Sequence, residues 1–302
     1  MNTFFTPLLT VLLILFNLTA INAQSKKSAS LVAKDAKPML VSADFLFTEG
    51  PAADAEGNVY FTDQPNDKIM KWSTDGVLSV YMEGTGRSNG LFMDKSGNLI
   101  ACADLNNELW MIDKDKKVTV LVSDFEGKKL NGPNDVWVDP KGGIYFTDPF
   151  YKRDYWTRTE KEIEQENVYY LSPDKKTLTV AASDFVRPNG IIGTPDGKLL
   201  YVSDINARKT YRFAIEAHGT LTNKTLFAEM GSDGMTIDSK GNVYLTGRGV
   251  TIFNSVGEKI ETITIDAPWT ANVCFGGKDR RTLFITASKS VYTLPMNVKG
   301  AY

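Results

Sequence analysis

One unit recurs along this chain, and its spacing limits what the chain can fold into. A turn glycine is followed by a short apolar run that ends in a polar residue. The copies are Gly57-Asn58-Val59-Tyr60-Phe61-Thr62-Asp63, Gly97 to Asp104, Gly142 to Asp148, Gly197 to Asp204 and Gly241 to Thr246. A sixth copy, Arg281 to Thr286, lacks the glycine. Steps between the five glycines are 40, 45, 55 and 44 residues, and Arg280 at the sixth turn follows 39 residues later. Each period has room for four short strands, such as Lys68–Trp72 and Val77–Tyr81 after the first hairpin and Glu108–Ile112 and Val118–Val122 after the second. Repeats of 40 to 50 residues with several strands each define a β-propeller. The expected fold is therefore all-β, a six-bladed β-propeller occupying residues 38–302, with Met39 to Val41 and Ser290 to Leu294 sharing a blade that closes the ring. An antiparallel sandwich of irregular repeats is the alternative.

The same register carries the chemistry. Eight residues before each turn position stand Glu49, Asn89, Asn134, Asn189, Asp233 and Asn272. Glu49, Asn89, Asn189 and Asp233 are each followed by glycine. Asn-Gly is a common turn pair, so any one of these alone says little; the weight lies in six matches in one register. The first strand of each propeller blade lines the central channel, so six oxygen-bearing side chains would face one volume. A ring of oxygen donors with two carboxylates suits a hard divalent cation, Ca²⁺ before Mg²⁺, with Mn²⁺ or Zn²⁺ as further options. Two negative charges would balance the cation and offset the cost of grouping them out of water.

Asp63, Asp104, Asp148 and Asp204 end the second strands and form a possible second ring, with loop capping as the plainer role. Asp148 stands out because the longest insertion follows it. That insertion, Pro149 to about Glu166, carries Phe150, Tyr151, Tyr155 and Trp156 among charges. It fits a lid or substrate wall, and equally a loop packed on its own blade.

Composition excludes several classes. A formal net charge of -2 over 302 residues leaves no basic footprint for nucleic acid. No Gly-x-Ser-x-Gly elbow is present, and the single histidine, His218, falls in an outer loop, which argues against a serine hydrolase. Cys102 and Cys274 each sit in an apolar run and are expected as buried core thiols rather than a disulfide. The apolar stretch Thr3 to Ala20 reads as a signal peptide, residues 1–23, cleaved near Ala23; an uncleaved anchor is the alternative, since the first residues carry no Lys or Arg. A polar segment, 24–37, follows. A secreted or periplasmic monomer without stable membrane association after cleavage is expected.

Glu49-Gly50-Pro51, Arg87-Ser88-Asn89-Gly90-Leu91, Leu130-Asn131-Gly132-Pro133-Asn134-Asp135-Val136, Arg187-Pro188-Asn189-Gly190-Ile191 and Ser232-Asp233-Gly234-Met235 resemble the gluconolactonase and senescence-marker-protein (regucalcin) family, from about Asp44 to Ala287. The resemblance implies a six-bladed propeller with a divalent metal held by Glu49, Asn134, Asn189 and Asp233. It implies Asp233 as the acid/base residue. A carboxylate bound to a cation is a weakened base, so Asp148 stands in reserve on chemical grounds. Asn134, Asn89, Arg87 and Asn272 are the expected substrate contacts, and a small-molecule sugar lactone is the expected substrate. A phosphotriesterase-like hydrolase and a non-catalytic ligand-binding propeller are the alternatives. In one respect the chain departs from the family: regucalcin-like members place an arginine at the position of Gly132, so the substrate's identity is open.

Overall fold

The computed structural model describes Met1, Thr3 and residues 30–302. The signal peptide expected from the sequence lies almost entirely outside the described residues. Among the described residues, no helix is long and apolar enough to cross a membrane.

Six four-stranded antiparallel sheets follow one another, each built from consecutive strands except the last. Blade 1 comprises Thr48–Ala53, Val59–Asp63, Lys68–Trp72 and Leu78–Glu83. Blade 2 comprises Ser88–Met93, Leu99–Ala103, Glu108–Ile112 and Val118–Val122. Blade 3 begins at Val136–Val138 and Ile144–Asp148, blade 4 at Pro188–Gly193 and Leu199–Asp204, and blade 5 at Met235–Ile237 and Val243–Gly247. Blade 6 takes Asn272–Gly276, Thr282–Ala287 and Ser290–Pro295 from the end of the chain and Met39–Ser42 from its beginning. Pairing of Met39 with Thr293 and Leu40 with Tyr292 closes the ring. The final residues of the polar segment belong to the fold: Leu31 is buried, and Val32 bridges Met296.

Burial explains the residue pattern. Second strands are buried along their whole length, as in Val59–Asp63 and Ile144–Asp148, or in all but the first residue, as in Leu199–Asp204 and Thr282–Ala287, because neighbouring blades cover both faces. They are accordingly near-continuous apolar runs rather than alternating ones. Outermost strands such as Leu78–Glu83 have exposed positions and polar residues. The turn glycines sit at positive φ, between 68° and 94°, which is the conformation the hairpin turn demands. Cys102 and Cys274 are free and buried, as the sequence suggests, and His218 lies in a short 3-10 turn between outer strands.

The inner strands make the channel, and their irregularities aim the side chains. In blades 1, 2 and 4 one extra residue is accommodated between Glu49 and Ala52, between Ser88 and Leu91, and between Pro188 and Ile191. Such bulges re-aim a side chain at the end of a ladder. In blades 3 and 5 the inner strand starts only after Asn134 and Asp233, which leaves both residues in the preceding loop.

Candidate metal and substrate site

Glycines after the site residues let the inner strands crowd together at the mouth. A Cβ built on Gly234 would stand 1.9 Å from the Asn272 side chain. Gly234→Ala is therefore expected to cost about 3 kcal/mol of stability. Urea denaturation of the metal-free protein measures this.

Glu49 is only 4% exposed, and its Oε2 accepts a hydrogen bond from the Gly50 amide at 2.9 Å. Asp233 is partly exposed at the mouth. Its Oδ1 accepts from Asn189 Nδ2 at 2.9 Å and its Oδ2 from the Trp269 indole at 2.6 Å. A carboxylate only accepts, so the contact with Asp233 fixes the Asn189 amide with its NH₂ toward Asp233 and its oxygen free. That NH₂ also donates to the Tyr151 hydroxyl at 3.0 Å. Asn89 and Asn134 are 4% and 5% exposed. Among the described residues, their side-chain amides make no hydrogen bond within the protein.

A third carboxylate lies at the floor. Asp135 accepts from the Val136 amide at 3.0 Å and the Ile191 amide at 3.4 Å, and the Asn272 side chain lies near enough to Asp135 and Glu49 to favour the charged form of both. Below this floor the channel opens into a cavity of about 420 Å³, lined by Leu91, Val136, Ile191, Met235, Val273 and the C-terminal Tyr302. Asp135 and Asn272 border that cavity, and Glu49 and Asp233 do not.

The electrostatics are unbalanced. Glu49 is held well above the ordinary carboxylate range, first by burial and then by the charges of Asp233 and Asp135. Burial pushes Asp135 up to about 8, and Asp233 to about 6 against the opposing hydrogen bonds from Trp269 and Asn189. No Lys or Arg among the described residues forms an ion pair with any of the three. Arg153 acts on Asp233 only from beyond ion-pair distance. Clustered carboxylates with no ion-pair partner, beside free amide oxygens, form the donor set of a hard divalent cation. Among the described residues, no three His, Cys, Asp or Glu side chains converge on one point, so such a cation would need the carboxamides as well as Glu49 and Asp233.

The remaining expected residues divide. Asp148, the reserve base, is fully buried, and its two oxygens accept the amides of Asn131 at 2.9 Å and Gly132 at 2.7 Å. It caps the loop before Asn134 and presents no exposed face to a water molecule. Arg87 lies at the mouth, its guanidinium 4.5 Å above the Tyr155 ring and donating to the Pro65 carbonyl at 2.8 Å. A Cβ on Gly132 would stand 3.0 Å from Trp156, so an indole from the insertion takes the space a side chain at 132 would need.

Asp135 and Trp269 have weaker sequence signals. Asp135 adjoins a site residue, and its sign is the missing glycine after Asn134. Trp269 lies in the connection between blades 5 and 6, outside the repeating register.

Geometrically this is a β-propeller with a carboxylate–carboxamide cluster at one mouth of its channel. The chain belongs to the SMP-30/Gluconolactonase/LRE-like family, whose model matches residues 47–289. It is 29% identical over 284 residues to a gluconolactonase of Zymomonas mobilis, covering 83% of this chain and 79% of that one. It is 27% identical over 254 residues to a regucalcin of Oryctolagus cuniculus, covering 78% and 81%. A solved gluconolactonase structure from Xanthomonas campestris superposes with a TM-score of 0.82 at 29% identity, covering 88% of this chain and 91% of that one.

Proposed function

We propose that the protein is a divalent-metal-dependent hydrolase that opens a sugar lactone, with Ca²⁺ the preferred ion. The observation that carries this is the carboxylate pair Glu49 and Asp233, without an ion-pair partner and set among free amide oxygens, in a family that includes gluconolactonases. Glu49, Asn134, Asn189 and Asp233 would hold the cation. When bound, it supplies Lewis acidity at the lactone carbonyl and balances the buried charge.

The chain's own groups do the rest. Glu49 and Asp135 are held by backbone amides, so they set the floor and its charge. Asp233 is the carboxylate partly exposed at the mouth, so it is the one that can take the proton of an attacking water. Asn189 and Trp269 hold its two oxygens and fix its direction. Water oxygen adds to the acyl carbon, the ring C–O bond breaks, and the leaving oxygen takes a proton, giving a hydroxy acid. Arg87, Asn89 and Asn272 border the space where the sugar would lie. Export, with loss of residues 1–23, and action as a monomer complete the proposal.

A pH-stat panel of aldonolactones and phosphotriesters tests the reaction class. Turnover of aldonolactones is expected, and turnover of phosphotriesters alone would contradict the proposal.

A further inference from the structure

Four blades end their second strand in aspartate, and three of those aspartates do one job. Asp63 accepts the amides of Leu46 and Phe47 at 3.1 and 3.2 Å. Asp148 accepts those of Asn131 and Gly132, and Asp204 those of Val186 and Arg187 at 2.7 and 2.9 Å. In each case the amides lie three and two residues before a site residue: Glu49, Asn134 or Asn189. The aspartate braces the loop that delivers that residue.

Asp104 should do the same for Asn89, and it does not. Its place is taken by Asp67, whose Oδ1 accepts from the Arg87 amide at 2.6 Å and the Thr85 amide at 2.9 Å. The Asp104 carboxylate turns instead to the insertion of blade 3. Its Oδ2 accepts from Arg153 Nε at 2.8 Å and from the Tyr155 hydroxyl, and the Asp104 carbonyl accepts from the Trp156 indole at 2.8 Å. Asp104 is 2% exposed, so these contacts are made out of water, where they are strongest. Beyond Asp104 the insertion reaches Tyr151, which is flanked by the guanidinium groups of Arg187 at 4.8 Å and Arg153 at 5.5 Å. The Tyr151 oxygen accepts from Asn189, so its own proton is free to be donated into the mouth.

We propose that Asp104 is a positioning residue, a latch that holds the 149–165 insertion as a roof over the site, so that Tyr151 donates its phenolic proton to a ring hydroxyl of the sugar lactone. The roof rests on the lactonase reading for its substrate but not for its latch. It makes the insertion the element that separates polyhydroxylated lactones from plain ones.

Two measurements test it. Amide hydrogen exchange follows residues 149–165 in the wild type and in Asp104→Ala, Asp104→Asn and Tyr155→Phe. Exchange there is expected to quicken on the order of tenfold or more in Asp104→Ala, and less in Asp104→Asn and Tyr155→Phe, which keep part of the latch. Unchanged exchange in all three variants overturns the latch. Kinetics compare glucono-δ-lactone with δ-valerolactone, which has no ring hydroxyl. Tyr151→Phe is expected to lose about tenfold in kcat/KM on the sugar lactone, chiefly through KM, and less than about twofold on δ-valerolactone. Asp104→Ala should show the same split, with Asp104→Asn recovering part of it. Equal losses on both lactones overturn the assignment of Tyr151. A wild type that opens neither lactone overturns the lactonase reading and the substrate role of Tyr151, while exchange still decides the latch.

Discussion

Asp233→Ala is expected to lose lactone hydrolysis on the order of a thousandfold, and to lose metal binding with it. Two functions meet in this one side chain. Asp233 is one of the two carboxylates in the proposed donor set, so its removal leaves one negative charge against a divalent cation. It is also the carboxylate partly exposed at the mouth, held there by Asn189 and Trp269. Steady-state kinetics, together with calcium titration by calorimetry, check both. Near-wild-type activity in this variant would remove Asp233 from the mechanism.

Glu49→Gln is expected to invert the stability order with and without metal. In the metal-free protein Glu49 is buried near Asp233 and Asp135, and its proton is held far more tightly than in the unfolded chain. Between the ordinary glutamate range and that raised value, the folded form binds more protons than the unfolded form. Stability from this group is therefore full at low pH and falls as pH rises through the window, by up to about 1.4 kcal/mol per pH unit. Asp135 and Asp233 add to the same trend up to about 8 and about 6. Glutamine keeps the shape and removes the charge. In chelator the variant should match the wild type near pH 5 and exceed it increasingly toward pH 8. With saturating Ca²⁺ the wild type should be the more stable, since the ion binds only the folded donor set. Thermal melts across this pH range, in chelator and in Ca²⁺, measure both orders. A variant less stable than the wild type in chelator at pH 8 would show that Glu49 is compensated by some other charge.

Much of this architecture is legible in the chain because the turns that build it are local. The Gly57, Gly97, Gly142, Gly197 and Gly241 hairpins fall where their spacing puts them, and the second blade's outer strands match the expected bounds, Glu108–Ile112 and Val118–Val122. Counting eight residues back reaches the start of an inner strand, or the loop just before it, in every blade because the inner hairpin has nearly constant length. What the register cannot carry is burial and partner choice. Asp63, Asp104 and Asp148 look alike in sequence. Asp63 and Asp148 each brace the loop before their own blade's site residue, while Asp104 reaches into the next blade's insertion. Asp135 is masked in the sequence by its neighbour Asn134, which occupies the repeating position, although the Asp135 side chain is the one held at the floor by the Val136 and Ile191 amides. Trp269 comes from a connection with no repeat at all, so only three dimensions bring its indole to Asp233.

The central claim is that one ring of register-matched side chains holds a cation on which lactone opening depends. Stripping the purified protein with excess chelator, then restoring Ca²⁺ while following glucono-δ-lactone hydrolysis and the melting temperature on the same samples, tests it most directly. Activity should vanish in chelator and return with Ca²⁺ along the same saturation curve as the rise in melting temperature, with Glu49→Gln showing neither response. Full hydrolysis in excess chelator, or a melting temperature that rises with Ca²⁺ as much in Glu49→Gln as in the wild type, would contradict it.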